Sequence, residues 1–251
     1  MLDWPQMMML CLAVTITGLA KGGFAGIGIL ATPILVTVMP PLTAVSVMLP
    51  ILLVQDAMSV TAYRRTVDWA TLRILMPGAV LGIGLGYLLA AWVNTDMVTL
   101  IIGVIALGFA VYFGIKNRIK DALPVRPRGW VGVLCGAGSG FTSMISHAGT
   151  PPFQIYAMTL RLPRDLFVGT SVVFFAMVNT VKVVPYVALG QMSGATLVTS
   201  ALMVPLSLLA TWAGIWLVRR IDPERFNYVI LGLLGAVGLW LILDGLRGLG
   251  S

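Results

Sequence analysis

Chemistry in this chain has to come from a few polar side chains set inside apolar stretches. Lys21 stands in the run Lys21-Gly22-Gly23-Phe24-Ala25-Gly26. A lysine between two apolar segments is costly to bury. Contact with an anionic ligand is therefore the first reading, and snorkelling of its long stem to an interface the second. A second run, Gly136-Ala137-Gly138-Ser139-Gly140-Phe141, leads through Ser143 into Ser146-His147-Ala148-Gly149-Thr150-Pro151. Glycine frees the backbone and proline removes a donor, so each run predicts a broken helix. Helix N-termini at such breaks offer N–H donors and positive partial charge to an anion. Lys21, Gly22, Gly23, Ser139, Gly140, Ser143 and Thr150 are accordingly candidates for substrate binding. His147, the one histidine, can donate to an oxyanion or titrate near neutral pH, which would suit proton coupling. Its plainer reading is a satisfied buried polar group.

Gln55 and Asp56 lie in the middle of one apolar segment, and Asn179 and Lys182 in the middle of another. Asn179 and Lys182 are three apart and share a helix face. Gln55, Asn179, Lys182 and His147 join the substrate-binding candidates, while Asp56 and His147 are the candidates for carrying a coupled proton. A buried Asp56–Lys182 ion pair with a structural role weighs equally. Asp244, near a segment end, reads as interfacial.

Enzymatic motifs are missing. No G-x-x-x-x-G-K-[ST] occurs, so no ATPase is expected in this chain. Gly26-Ile27-Gly28-Ile29-Leu30-Ala31 superficially fits a dinucleotide fingerprint, but it lies in an apolar segment without a βαβ unit. There is no HExxH and no nucleophile elbow. Cys11 and Cys135 sit in apolar segments without metal-ligand spacing. No catalytic residue, metal or cofactor is expected.

The elements that carry these residues must live in lipid. Hydrophobic residues make up 59% of the 251, only 10% are charged, and mean hydropathy is +0.98. A soluble domain carries about 25% charged residues. The charges cluster between apolar runs of roughly 20 residues, the length that crosses ~30 Å of hydrocarbon. The clearest spans are 44–63, 74–93, 97–116, 167–189, 195–218 and 227–246. Segments 6–39 and 130–160 are too long for one span and are read as helical hairpins. The net charge of +7 comes from loop lysines and arginines and calls for no nucleic-acid partner. The first apolar run has no basic stretch before it and reads as a retained membrane segment.

The two broken segments also mark a repeat. Gly23-Phe24 matches Gly140-Phe141, Thr32-Pro33 matches Thr150-Pro151, and Pro77 and Gly86 match Pro205 and Gly214 at a constant offset. The halves are 1–117 and 128–251, joined by a basic linker, 118–127. Lysines and arginines crowd the 64–73, 116–128, 161–164 and 219–225 stretches, while 38–44, 92–96 and 190–194 have none. The first set is expected to be cytoplasmic and the second external. With each broken segment a hairpin, both chain ends fall outside and the halves run in opposite senses. The expected fold is an all-α polytopic membrane protein of two inverted repeats, each a broken hairpin followed by three transmembrane helices. Such transporters hold substrate near the midplane. Gly82 and Gly86, by contrast, fit close helix packing.

The run from Gly18 to Gly28, its continuation to Thr32-Pro33 and the second Gly-Ser-Gly-Phe run resemble the TauE/SafE sulfite exporter family, also called toluene-sulfonate uptake permeases. The likeness covers essentially the whole chain. It implies a secondary transporter in the cell inner membrane that exports sulfite, sulfoacetate or another organosulfonate. Uptake of a related anion is the alternative within transport, and a non-transporting scaffold subunit the alternative outside it. The expected partners are a small anion and the lipid bilayer, with a homo-oligomer compatible but not deducible.

Overall fold

The computed structural model describes residues 2–21, 27–90, 92, 94–116, 129–217 and 223–249. Gly22, Gly23 and the linker 118–127 lie outside the described residues. The regular structure is helical throughout. The first half contains α1 (Trp4–Lys21), α2 (Ala31–Val36, entered through a 3-10 turn at Ile27–Leu30), α3 (Pro41–Tyr63), α4 (Trp69–Ala90) and α5 (Thr95–Lys116). The second contains α6 (Gly129–Ser146), α7 (Thr150–Ala157), α8 (Arg164–Ala188), α9 (Gly194–Leu202), α10 (Val204–Leu217) and α11 (Pro223–Leu249). Among the described residues, α3, α4, α5 and α8 are each long and apolar enough to cross a membrane, and the bent pair α9–α10 is a fifth candidate. Leu81, Leu85 and Leu88 on α4 and Leu209 and Trp212 on α10 are exposed, as suits a surface solvated by hydrocarbon. Exposed tryptophans mark helix ends at Trp4, Trp69, Trp92 and Trp130, where amphipathic rings favour the interface. This is a membrane protein.

Two expectations need correction. The segment 195–218 is not one straight helix: α9 and α10 meet at Met203 with a bend of 48°. Pro205 has no N–H, and its ring crowds the carbonyl four residues back, so the ladder cannot run through. It restarts with Ser207 N–H donating to the Met203 carbonyl at 2.9 Å. Pro77, the repeat counterpart, stays inside a continuous α4, so the halves differ here. The second correction concerns the glycines at 136–140, which do not break their helix. They lie within α6, and Gly132, Gly136 and Gly140 line one face of it at four-residue intervals. A Cβ on Gly136 would come within 2.1 Å of the Leu75 carbonyl oxygen, and one on Gly140 within 2.0 Å of that of Ala79. These glycines let the α4 backbone approach, and Gly78, Gly82 and Gly86 return the contact from α4. The chain breaks later, at His147-Ala148-Gly149.

Side-chain contacts reveal which parts share an end of the molecule. Gln6 Nε2 donates to the Val38 carbonyl at 3.1 Å, so segment 6–39 leaves and returns at the same end. Ser46 Oγ donates to Gln191 Oε1 at 2.9 Å, and Leu42, Leu89 and Gln191 line one small cavity, which gathers the turns after α2, α4 and α8. Gly248 lies against the Asp96 carboxylate, so α11 finishes there too. At the opposite end Asp68 N–H donates to Thr170 Oγ1 at 2.8 Å. Gly132 touches Ile74 and Tyr156, so segment 130–160 also leaves and returns at one end. Between the ends, α3 packs on α8, α5 on α11, α4 on α6 and α1 on α10.

Candidate functional site

Two helix tips meet inside this bundle. One is the end of α1, at Lys21, and the other is the end of α6, where His147 takes a left-handed backbone with φ 54°. A histidine tolerates that conformation better than most residues, and it turns the chain back into α7. Two α6 hydroxyls hold the turn: Ser139 Oγ donates to the Gly149 carbonyl at 2.6 Å, and Thr142 Oγ1 to that of Ala148 at 3.0 Å. The first turn of α7 reads Thr150-Pro151-Pro152. Two prolines remove two of the N–H groups that a helix start normally presents, so the polar groups available at this turn are mainly side chains.

The first polar cluster joins three helices. Lys21 Nζ donates to Asp56 Oδ1, forming an ion pair. Asp56 Oδ2 accepts from Asn179 Nδ2 at 2.6 Å. Lys21 also stands 5.9 Å from the centre of the Phe175 ring, within cation–π range. Asp56 on α3 is thus tied to the tip of α1 and to α8. The Asp56–Lys182 pair, one of the two readings weighed from the sequence, is not formed. Lys21 and Asn179 occupy both carboxylate oxygens, and Lys182, three residues beyond Asn179, is turned towards α6.

Lys182 is fully buried and makes a second cluster. Its ammonium is 3.0 Å from the Ser143 carbonyl, 3.0 Å from Ser143 Oγ and 2.7 Å from His147 Nδ1. His147 Nε2 lies 2.9 Å from the Val45 carbonyl. A carbonyl can only accept, so Nε2 carries the ring hydrogen and Nδ1 receives a hydrogen bond from Lys182. Tyr186 stacks near His147, and its hydroxyl donates to the Met144 carbonyl at 3.0 Å.

A cavity of about 80 Å³ lies between the tips. Of the residues singled out in the sequence, Lys21, Ser143, His147, Thr150 and Asn179 line it. The other described candidates are not in its lining. Lys182 contacts Ser143 and His147, Ser139 secures the turn, and Gly140 packs against α4. Gln55 Nε2 donates to the Val14 carbonyl at 3.1 Å, while its buried Oε1 has no partner among the described residues. Sequence reasoning missed Ser171 and Phe175, which also line the cavity. Their signal was spacing: 171, 175, 179 and 182 fall on one face of α8. Phe167, Val168 and Leu52 add an apolar wall to the lining.

The family model described as sulfite exporter TauE/SafE matches residues 10–241. A curated relative from Cupriavidus necator, the probable sulfite/organosulfonate exporter TauE, is 23% identical over 211 residues, covering 82% of this chain and 81% of the relative. No solved structure matches. With the match running through the tips, the cavity and all but the ends of the chain, this protein belongs to the sulfite exporter TauE/SafE family of membrane transporters.

Proposed function

We propose that this protein is a secondary transporter that exports a small sulfur-containing anion, such as sulfite, sulfoacetate or another organosulfonate, through the cavity between the tips of α1 and α6. The observation that carries the reading is the lining of that cavity. Lys21 and the hydroxyls of Ser143, Thr150 and Ser171 are held in a largely apolar bundle, where charge-assisted hydrogen bonds to an oxyanion are strongest. The name of the Cupriavidus necator relative supports both the substrate class and the direction.

In this reading Lys21, Ser143, Thr150 and Asn179 touch the anion. Asp56 holds Lys21, while Gln55 and Ser139 position the tips. Gly140 sets how closely α6 approaches α4. Both ring nitrogens of His147 already have partners, which favours a holding role over proton transfer.

The halves 1–117 and 128–251 act as inverted repeats about the α3–α8 and α5–α11 contacts. The pairing of α1 with α10 answers that of α6 with α4, and the contact of α3 with α10 answers that of α8 with α4. Both hairpins leave and return at their own ends, as opposite orientations require. With the basic loops cytoplasmic, the cell inner membrane is the expected location. An inside-negative potential of ~100 mV then favours anion export by about 2.3 kcal/mol per charge, so no coupled ion is needed.

Proteoliposomes with the purified protein, loaded with sulfite or sulfoacetate, test the reading. Voltage-dependent efflux is expected, and Lys21→Gln should weaken binding about ten- to a hundredfold, matching roughly 1.5–3 kcal/mol for a charged hydrogen bond. Absence of flux for every sulfur anion would leave the scaffold alternative.

A further inference from the structure

We infer that the cavity takes its anion in singly charged form: Lys21 contacts the anion, but Asp56 offsets its charge, so the net positive charge that the anion balances is that of Lys182. This rests on the anion-transport reading and deepens it. Among the described residues, three charged side chains stand in or just behind the cavity lining: Lys21, Asp56 and Lys182. Lys21 and Asp56 are paired and cancel. Lys182 has no carboxylate partner among the described residues. It has three acceptors within 3.0 Å, two on Ser143 and one on His147, which match the three N–H bonds of an ammonium. Its contacts, Ser143 on α6 and His147 in the turn beyond, are uncharged, and its charged neighbours are Lys21 and Asp56, already paired with each other. One positive charge is left over.

That charge reaches the cavity through Ser143. Its Oγ accepts from Lys182, so its own hydrogen must point elsewhere, and no other described residue takes it. Ser143 lines the cavity. A hydroxyl polarised by an ammonium behind it is a strong donor to an anion in front of it. A singly charged anion leaves the occupied site neutral. A doubly charged one leaves a net negative charge in a low-dielectric bundle, which is costly. Phe167, Phe175 and Val172 along the apolar wall suit an anion with an uncharged body. Sulfite, on this account, enters as hydrogensulfite.

Methanesulfonate and sulfate are nearly the same shape and differ by one charge, so they make the probe pair. Binding of each to the purified full-length protein, at constant ionic strength, should favour methanesulfonate by about tenfold or more in the wild type. Lys182→Met should lose about tenfold or more of methanesulfonate affinity. Asp56→Asn frees the charge of Lys21 and should move the ratio towards sulfate, provided the variant stays folded. Sulfite binding should weaken as pH rises through its second ionisation, while methanesulfonate binding stays level. Sulfate binding as well as methanesulfonate in the wild type, or Lys182→Met unchanged in affinity, would overturn the inference and leave anion transport standing. Failure of sulfite, methanesulfonate, sulfoacetate and sulfate all to bind would instead overturn the function proposed above.

Discussion

Removing Lys21 exposes how the site is built. Asp56 is 3% exposed, and the Lys21 side chain is 12% exposed, so the pair is shielded from screening by water. Lys21→Met strands the Asp56 carboxylate with only the Asn179 amide as partner. Breaking a buried pair from one side costs about 3–5 kcal/mol. The lower figure applies here, since the Asn179 hydrogen bond survives. For a chain of this size about 3 kcal/mol corresponds to an apparent melting shift of roughly 6 °C or more. Lys21→Met with Asp56→Asn removes both charges while preserving shape, and should recover more than half of that loss. Thermal unfolding of the four proteins in one detergent, read as a double-mutant cycle, measures the coupling. Additive losses in the double variant would refute a buried, mutually dependent pair, whatever the transport assay reports.

Other outcomes follow from the same geometry. Gly82→Ala places a methyl 2.0 Å from the Ala137 carbonyl oxygen and should cost about 1–3 kcal/mol by overpacking. Gly84→Ala, with open space around it, should be tolerated; size-exclusion profiles and melting curves compare the two. On a background without Cys11 and Cys135, Ser193→Cys should label from outside and Lys120→Cys should not. A cytoplasmic C-terminus in the same assay would sink the inverted-repeat arrangement. Flux with voltage and pH gradient clamped separately should follow voltage. Flux that tracks the pH gradient and vanishes in His147→Ala would restore a coupling role for that histidine.

The membrane environment and most helix positions were legible in the sequence. They rest on local quantities, namely run length, charge content and the placement of glycine and proline. The polar residues of the core stood out for the same reason, because in apolar segments each is costly and therefore conspicuous. Partnership did not follow from the sequence. Asp56 could pair with either buried lysine, and only the approach of the α1 tip to α3 and α8 chose Lys21. Nor did the role of the 136–140 glycines, whose backbone freedom reads as a break until α4 is seen pressed against them. The turn at His147 and the bend at Met203 were likewise decided by packing and backbone geometry. Residue types and spacing determined which groups are buried in this protein. Tertiary structure decided which of them meet, because hydrogen bonds and ion pairs depend on distances of a few ångströms between helices far apart in the chain.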